Sequence, residues 1–342
     1  MEAAPLPVDT EKASALYRGR TLDSPRQRIL MTRLQGSSQE VDLQSPVNCG
    51  GMGRVRHFHR KTTDGWPSNP LPIDPASRAL GLGEALPNIE AEVFQNAACN
   101  WRCWYCFVPF NLLSADLRYS AWCSPDSLVE QYASLDGRPP VLDLSGGQPD
   151  ITPEYVLWTM RALRSRGLSD QTFLWSDDNL SADYFWAKLS VKERTEVVSY
   201  RNYARVGCFK GFDSESFAFN TMAAKADFDT QFHLMARSID TGLDMYAYAT
   251  FTSPTSIDLP RKMESFIDRL QAIDLNLPLR TVPLEVQVFT PTAGRIRPEH
   301  LNALGIQKAA VVEWDKQMNL RFSSSQRSAC VCDVPLGQCP RS

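Results

Sequence analysis

The sequence predicts an α/β fold in which six parallel strands, each followed by a helix, bend into a (β/α)6 partial barrel of the TIM type. The first observation is that short apolar or alternating segments, rich in β-branched and aromatic residues, recur after residue 90. The second is that a segment with helix-start signals follows each of them. Strands that alternate with helices pair in parallel. The predicted strands are residues 92–98, 141–145, 172–176, 204–210, 245–252 and 284–289.

The clearest helix start is Thr152-Pro153-Glu154. Thr152 suits an N-cap, Pro153 is favoured at the first helical position, and Glu154 complements the positive end of the helix dipole. Apolar residues then recur on one face, and Gly167 predicts the helix end. Other starts are predicted near 124, 181, 213, 260 and 298, with further helices at 10–17 and 309–320.

Residues 1–88 are predicted to form a loop-rich extension, because they contain many Pro, Gly and Ser residues and lack clear periodicity. Within it, residues 49–61 combine glycines with Arg54, Arg56 and Arg60, which suit forked contacts with phosphate or carboxylate. Two interpretations stay open: a solvated basic loop, or a cover that holds an anionic substrate. The barrel is predicted at 89–295, and a C-terminal helix and tail at 296–342.

The composition is that of an ordinary globular protein, with 43 % hydrophobic and 22 % charged residues and a formal net charge of -3. It lacks the basic excess of a general nucleic-acid binder. No apolar run approaches the roughly 20 residues that span a bilayer, and the N-terminus lacks signal-peptide features. The sequence therefore predicts a cytoplasmic protein without a membrane or nucleic-acid partner. The nine cysteines are then expected to be metal ligands or free thiols.

Three thiols follow the first predicted strand in one short run. Cys99, Cys103 and Cys106 have the spacing C-x3-C-x2-C, with Tyr105 before the last of them. Thiolates are the ligands that iron-sulfur clusters require, and three of them leave one iron of a 4Fe-4S cluster without a protein ligand. The alternatives are three buried structural thiols or half of a zinc site, which usually closes with four N or S ligands.

This run, called the cysteine loop below, resembles the signature of the radical S-adenosylmethionine (SAM) superfamily. The resemblance implies that Cys99, Cys103 and Cys106 bind a 4Fe-4S cluster, that SAM binds the fourth iron, and that Tyr105 lies near the adenine. It also implies reductive cleavage of SAM to a 5′-deoxyadenosyl radical, which takes hydrogen from a substrate, and a reductant such as flavodoxin or ferredoxin. The fold that it implies is the same partial barrel.

The second predicted strand ends in Gly146-Gly147-Gln148. This turn resembles the GGE motif of the same family, where glycine backbone meets the SAM amino group, although Gln148 replaces the usual Glu. Taken alone, it would be an ordinary turn after a strand. Its place after the second strand is the expected one, because functional residues of such barrels gather at the C-terminal ends of strands.

The third and fourth predicted strands end near Asp177, Asn179 and Lys210. These residues resemble positions of the branch that contains pyruvate formate-lyase activating enzymes, where they help to hold the ribose and carboxylate of SAM. Asp177 and Asn179 can accept from ribose hydroxyls, and Lys210 can neutralise a carboxylate. The alternatives are a helix N-cap for the acidic pair and a solvent-facing Lys210.

Alternation places Glu285, Gln287 and Phe289 on one face of the sixth predicted strand, which is expected to point into the barrel. An edge strand with a wet face is the alternative. The residues predicted as catalytic are Lys210, Glu285 and Gln287. The residues predicted to bind the cofactor are Tyr105, Gly146, Gly147, Gln148, Ser176, Asp177, Asn179, Lys210, Thr250 and Phe289.

The tail contains three further cysteines, Cys330, Cys332 and Cys339. Three thiols in ten residues predict an auxiliary iron-sulfur cluster, with Cys49, a non-cysteine ligand or substrate in the fourth position. The spacing differs from the SPASM-type auxiliary pattern. A zinc site or a frayed tail are the alternatives.

The predicted function is that of a radical SAM enzyme acting on a small metabolite or natural-product intermediate. The auxiliary cluster would then accept an electron, anchor substrate or donate sulfur. The alternatives are an activase of glycyl radical enzymes or a peptide-modifying maturase, and a non-catalytic metal-binding module.

Overall fold

The computed structural model describes residues 6–337. Its N-terminal part contains more regular structure than the loop-rich extension that the sequence predicts. Asp9 caps the first helix by accepting from the backbone N–H of Lys12, and this helix extends beyond the predicted range of 10–17. The elements of this part are α1 (Thr10–Thr21), β1 (Leu22–Asp23), β2 (Arg28–Thr32), β3 (Gly53–His59) and α2 (Ile73–Leu80).

The strands confirm the predicted partial barrel. Six of them pair in parallel in chain order, and β3 adds to one edge in antiparallel orientation, so the sheet order is β10-β9-β8-β7-β6-β4-β3. The remaining strand, β5, joins β1 and β2 in a small antiparallel sheet. Their bounds are β4 (Asn88–Gln95), β5 (Ser120–Cys123), β6 (Val141–Ser145), β7 (Phe173–Asp178), β8 (Tyr203–Phe209), β9 (Met245–Thr250) and β10 (Thr281–Leu284).

Helices follow the parallel strands and pack on the outer face of the sheet. Two predicted boundaries are wrong. A 3-10 turn at Pro149–Ile151 delays the helix predicted from Thr152, so it begins at Glu154 without a side-chain cap. The segment 309–320 is the second half of one helix that begins at Pro298. The helices are α3 (Pro125–Ala133), α4 (Glu154–Ser165), α5 (Tyr184–Lys188), α6 (Val191–Val198), α7 (Ser214–Thr221), α8 (Asp227–Asp240), α9 (Leu259–Ile273), α10 (Thr290–Ala293), α11 (Pro298–Arg321) and α12 (Ser324–Ser328).

The prediction of a strand at 284–289 is wrong, because β10 ends at Leu284. Pro283 lies within β10, which is tolerated because β10 is an edge strand. Glu285, Gln287 and Phe289 therefore do not share a strand face inside the barrel. Phe289 is 44 % exposed, and Gln287 is exposed as well.

Apolar side chains pack on both faces of the large sheet. Outside, Leu142 and Leu174 contact the helices. Inside, Ala91, Val141 and Trp175 belong to an inner core that fills the N-terminal half of the barrel. This leaves the C-terminal strand ends for other functions. Within residues 6–337, no helix is long and apolar enough to cross a membrane.

Candidate active site at the C-terminal ends of the strands

The cysteine loop follows the C-terminal end of β4, and its three thiols lie close enough to affect one another's pKa. Burial raises the pKa of Cys103 to about 12, with Lys210 lowering it and the thiols of Cys99 and Cys106 raising it. Each of the three is a free cysteine. Arg295 donates from Nη2 to the backbone carbonyl of Cys106, which adds a second cation beside the loop.

This donor set fits an iron-sulfur cluster, because three free thiols and nearby cations suit a group that is ligated by thiolates. The cost of ionising the buried thiols, which is visible in the raised pKa of Cys103, is offset when they bind a metal as thiolates. Within residues 6–337, no three Cys, His, Asp or Glu side chains form a site for a single metal ion.

Helix α1 holds the cysteine loop from the outside. Nε1 of Trp101 donates to Oγ1 of Thr10 at 2.9 Å, and Nδ2 of Asn100 donates to Oγ of Ser14 at 2.8 Å. Trp101 and Asn100 are both buried. The N-terminal extension is therefore part of the support of the site.

The glycine turn after β6 packs directly against the start of the cysteine loop. The backbone N–H of Gln148 donates to the carbonyl of Ala98 at 2.8 Å. A Cβ on Gly147 would lie 2.3 Å from that same carbonyl oxygen, and Gly146 has φ of +86°. Only glycine fits these two positions without backbone movement.

The side chain of Gln148 is engaged within the protein. Its Nε2 donates to Oδ1 of Asp178 at 2.8 Å, and its Oε1 accepts from the backbone N–H of Asn179 at 2.9 Å. Gln148 thus joins the ends of β6 and β7. Both polar atoms of this side chain thus have a protein partner, and the predicted cofactor contact of Gln148 would have to use the second hydrogen-bonding position of one of them.

Lys210, Tyr105, Thr250 and Asp177 come together at the ends of three strands and the cysteine loop. The hydroxyl of Tyr105 lies 3.1 Å from Oγ1 of Thr250. Burial lowers the pKa of Lys210, but the acidic groups around it, led by Cys208 and Tyr105, outweigh that effect and hold the pKa well above its usual value. The amine is therefore a cation available to an anionic ligand.

Asn179 and Ser176 have different positions. Nδ2 of Asn179 donates to Oδ1 of Asn100 at 2.9 Å and lies 3.8 Å from the sulfur of Cys99. Ser176 shares the outer face of β7 with Leu174, where its hydroxyl lies 2.8 Å from that of Tyr203. Because successive residues of a strand alternate between faces, Ser176 points away from the site, and its predicted cofactor contact lacks a geometric basis.

Strand β3 brings two arginines to the inner face, which corrects the prediction of a loop at this segment. Nη1 of Arg56 lies 3.2 Å from Oδ2 of Asp143 and 3.9 Å from Oδ2 of Asp177. Burial raises the pKa of Asp143 to about 7, with Asp177 raising it and Arg56 and Arg54 lowering it. Asp143 is not among the residues predicted from the sequence. A carboxylate inside the apolar run Val-Leu-Asp-Leu was the available signal.

The residues after β3 cross the opening between the two edge strands, β3 and β10. Nε1 of Trp66 donates to the carbonyl of Pro283 at 3.0 Å, and Oγ1 of Thr62 donates to Oε2 of Glu285 at 3.0 Å. Gln287 donates to the same carboxylate at 3.0 Å. Residues 62–69, called the bridging segment below, thus occupy the side of the barrel, and Glu285 and Gln287 hold it there.

The two tail cysteines that the structure describes, Cys330 and Cys332, lie at the opposite end of the barrel. Cys332 packs on the inner core near Tyr246, at the N-terminal end of β9, and Cys330 lies 3.9 Å from Oδ2 of Asp74. Cys339 falls outside the described residues, so the predicted three-thiol set stays a prediction. Cys49 is buried with the outer core beside Glu92 and is not placed to complete that set.

A cleft of about 1140 Å³ adjoins these tail cysteines rather than the cysteine loop. It lies between α2, β10, α11 and the tail. Two ion pairs lie in its lining, Arg60 with Asp74 and Arg78 with Asp333. The cleft is therefore separate from the candidate site.

Comparison with known proteins gives a structural likeness only. No protein-family model and no curated protein matches the chain. It is similar to Streptococcus suis SuiB bound to S-adenosylmethionine, with 14 % identity, 66 % of this chain and 47 % of that chain covered, and a TM-score of 0.45. A second SuiB structure has 13 % identity, with 68 % of this chain and 47 % of that chain covered and a TM-score of 0.46. SuiB bound to the precursor peptide SuiA has 13 % identity, with 52 % of this chain and 36 % of that chain covered and a TM-score of 0.37. The chain thus spans less than half the length of SuiB, and its activity has to follow from its own residues.

Proposed function

We propose that this chain is a radical SAM enzyme in which Cys99, Cys103 and Cys106 bind a 4Fe-4S cluster. The observation that carries the proposal is the direct packing of the cysteine loop on the glycine turn, through the 2.8 Å bond from Gln148 to Ala98. The two elements that would meet the amino-acid end of SAM, the cluster ligands and the glycine backbone, are thereby held side by side. When bound, a reduced cluster would supply the electron that cleaves SAM and starts hydrogen abstraction from a substrate.

The residues around the loop have separate tasks in this proposal. The Lys210 amine neutralises the methionine carboxylate of SAM, and the glycine backbone at 146–147 receives its amino group. Asp177, whose Oδ1 has no partner among the described residues, accepts from ribose hydroxyls. Tyr105, held by Thr250, lies against the adenine.

We propose a small metabolite or natural-product intermediate as the substrate. The bridging segment and β3 occupy the side of the barrel, where a folded partner protein would otherwise approach. A closed side also keeps water from the reacting groups. The tail cysteines have no part in this proposal, because the two that the structure describes lie at the opposite end of the barrel. A flavodoxin or ferredoxin would deliver the electron.

The test is reductive cleavage of SAM by anaerobically reconstituted protein, measured as release of 5′-deoxyadenosine. We expect cleavage by the wild type and by Cys123→Ala, a matched control because that thiol lies in β5 and outside the loop. Cys103→Ala is expected to reduce cleavage to background.

A wild-type protein that holds its cluster and leaves SAM intact would contradict the proposal and favour the metal-binding module. Cleavage that depends on a protein or peptide fraction, and not on a small-molecule fraction, would instead favour the activase or maturase.

A further inference from the structure

Arg54 is buried inside the barrel with two donors that lack acceptors. It pairs in register with Val93, and partners in an antiparallel pair point to the same face, which here is the inner face. Only 5 % of Arg54 is exposed. Its Nε and Nη2 atoms are buried and have no hydrogen-bond partner in the part of the chain that the structure describes. A buried charge without acceptors is costly in free energy.

In the other buried arginines, the guanidinium group donates to acceptors within the protein. Arg205 donates to Asp150 at 3.1 Å and to Asp178 at 3.4 Å. Arg280 donates to Asp244 at 2.5 Å and to the carbonyl of Val334 at 2.7 Å. Arg54 is thus the exception among the arginines that are buried within residues 6–337.

The surroundings of Arg54 place it at the candidate site. Its guanidinium carbon lies 5.2 Å from the ring centre of Phe107, the residue that follows Cys106. Asp143, a carboxylate on the same inner face, accepts from Arg56 instead. Burial lowers the pKa of Arg54 to about 10, so the group is still a cation at neutral pH.

The two unpartnered atoms form one edge of the guanidinium group. Nε and Nη2 point in the same direction and can donate two parallel hydrogen bonds to a carboxylate or phosphate. The charges also favour an anion, because the cations of Arg54, Arg56 and Lys210 all act on one carboxylate, Asp177. Two further carboxylates act on Arg54, those of Asp143 and Glu92, and burial raises the pKa of each to about 7. A bound anion would partly neutralise these cations.

We propose that Arg54 binds the anionic group, a carboxylate or a phosphate, of the substrate that reacts beside the cysteine loop. The proposal rests on the proposed function and names the class of substrate. The methionine carboxylate of SAM is a second anion that could bind to Arg54. Because Lys210 is available to bind that carboxylate, we assign Arg54 to the substrate.

The experiment titrates inorganic phosphate and acetate, as probes, into the full-length reconstituted protein, with calorimetry as the readout. We expect binding by the wild type and by Arg78→Gln, a control whose guanidinium pairs with Asp333 at the far end of the barrel. Arg54→Gln is expected to weaken the affinity for the bound probe at least tenfold, and Arg54→Lys less. Iron content and circular dichroism establish that each variant is folded.

Affinity for SAM, measured in the same variants, separates the two sources. Unchanged affinity in Arg54→Gln assigns the site to the substrate, whereas an equal loss for SAM and the probe would assign it to SAM and overturn the proposal. The proposal would also be overturned if neither probe bound to the wild type, or if both probes bound to Arg54→Gln as tightly as to the wild type. Failure of the proposed function is a different result: the wild type would bind the probe through Arg54 and leave SAM uncleaved.

Discussion

The cysteine loop and the tail both place cysteines close together in the sequence, but their surroundings differ. The loop lies at the C-terminal ends of the strands, beside the cation of Lys210 and the open backbone of the glycine turn. The described tail cysteines lie at the N-terminal ends, where Cys330 faces the carboxylate of Asp74 and Cys332 packs on the inner core. Similar spacing in the sequence therefore does not give similar surroundings: a lysine and a backbone turn lie beside the loop, whereas a carboxylate and apolar side chains lie beside the described tail cysteines.

The largest expected effect is on iron content after anaerobic reconstitution. Replacing Cys99, Cys103 and Cys106 with Ala should remove nearly all of about four irons, the content of one 4Fe-4S cluster. The double variant Cys330→Ser, Cys332→Ser should keep its iron, because both thiols lie at the opposite end of the barrel from the cysteine loop. A wild type with about eight irons, about four of them lost in the tail variant, would instead establish the auxiliary cluster.

A smaller effect is expected on the affinity for SAM when the cation at the loop is removed. Hydrogen bonds to charged groups contribute roughly 1.5–3 kcal/mol, so Lys210→Met should weaken SAM binding about ten- to a hundredfold. Equilibrium binding of SAM to the reconstituted protein measures this.

The matched control is Lys262→Met, whose amine pairs with Asp213 at 2.8 Å outside the barrel. Equal affinities in the two variants would show that Lys210 does not contact SAM.

The last expected effect is on stability and not on binding, and it concerns Glu92, which lies in β4 before the cysteine loop. Burial raises its pKa to about 7, although Asn48 and Arg54 lower it. The folded state therefore holds a proton that the unfolded chain releases at lower pH, and this contribution to stability is lost as pH rises through 7. The free energy of unfolding should fall between about pH 4.5 and 7, the unfolded and folded pKa values, by at most about 1.4 kcal/mol per pH unit for one proton.

Urea unfolding at several pH values measures this dependence. Glu92→Gln should flatten it, and the exposed Glu84→Gln should not. If the slope persists in Glu92→Gln, the proton is bound elsewhere.

The barrel was predictable because its strands are buried on both faces and read as apolar runs. The shift of the sixth strand has a local cause, since Pro283 weakens the strand pattern while the sequence from Glu285 to Phe289 alternates well without forming a strand. Strand β3 was missed for a different reason. Its arginines read as exposed, and their burial depends on pairing with β4, which lies about 30 residues further along the chain.

The candidate site, too, has features that are local in the sequence and features that depend on contacts between distant segments. The cysteine spacing and the glycine turn are local features, and the sequence shows them directly. The face on which Ser176 lies, the partners of Gln148 and the missing acceptors of Arg54 depend on sheet register and on contacts between distant segments. These features could be found only in the folded arrangement.

The N-terminal extension contributes both the helix that supports the cysteine loop and the strand that carries Arg54. Under the two proposals, the arginine that would bind the substrate anion and the cysteines that would bind the cluster are thus encoded in different stretches of the chain. All six parallel strands begin after this extension, so the group that would select the substrate can change without a change in the strands of the barrel.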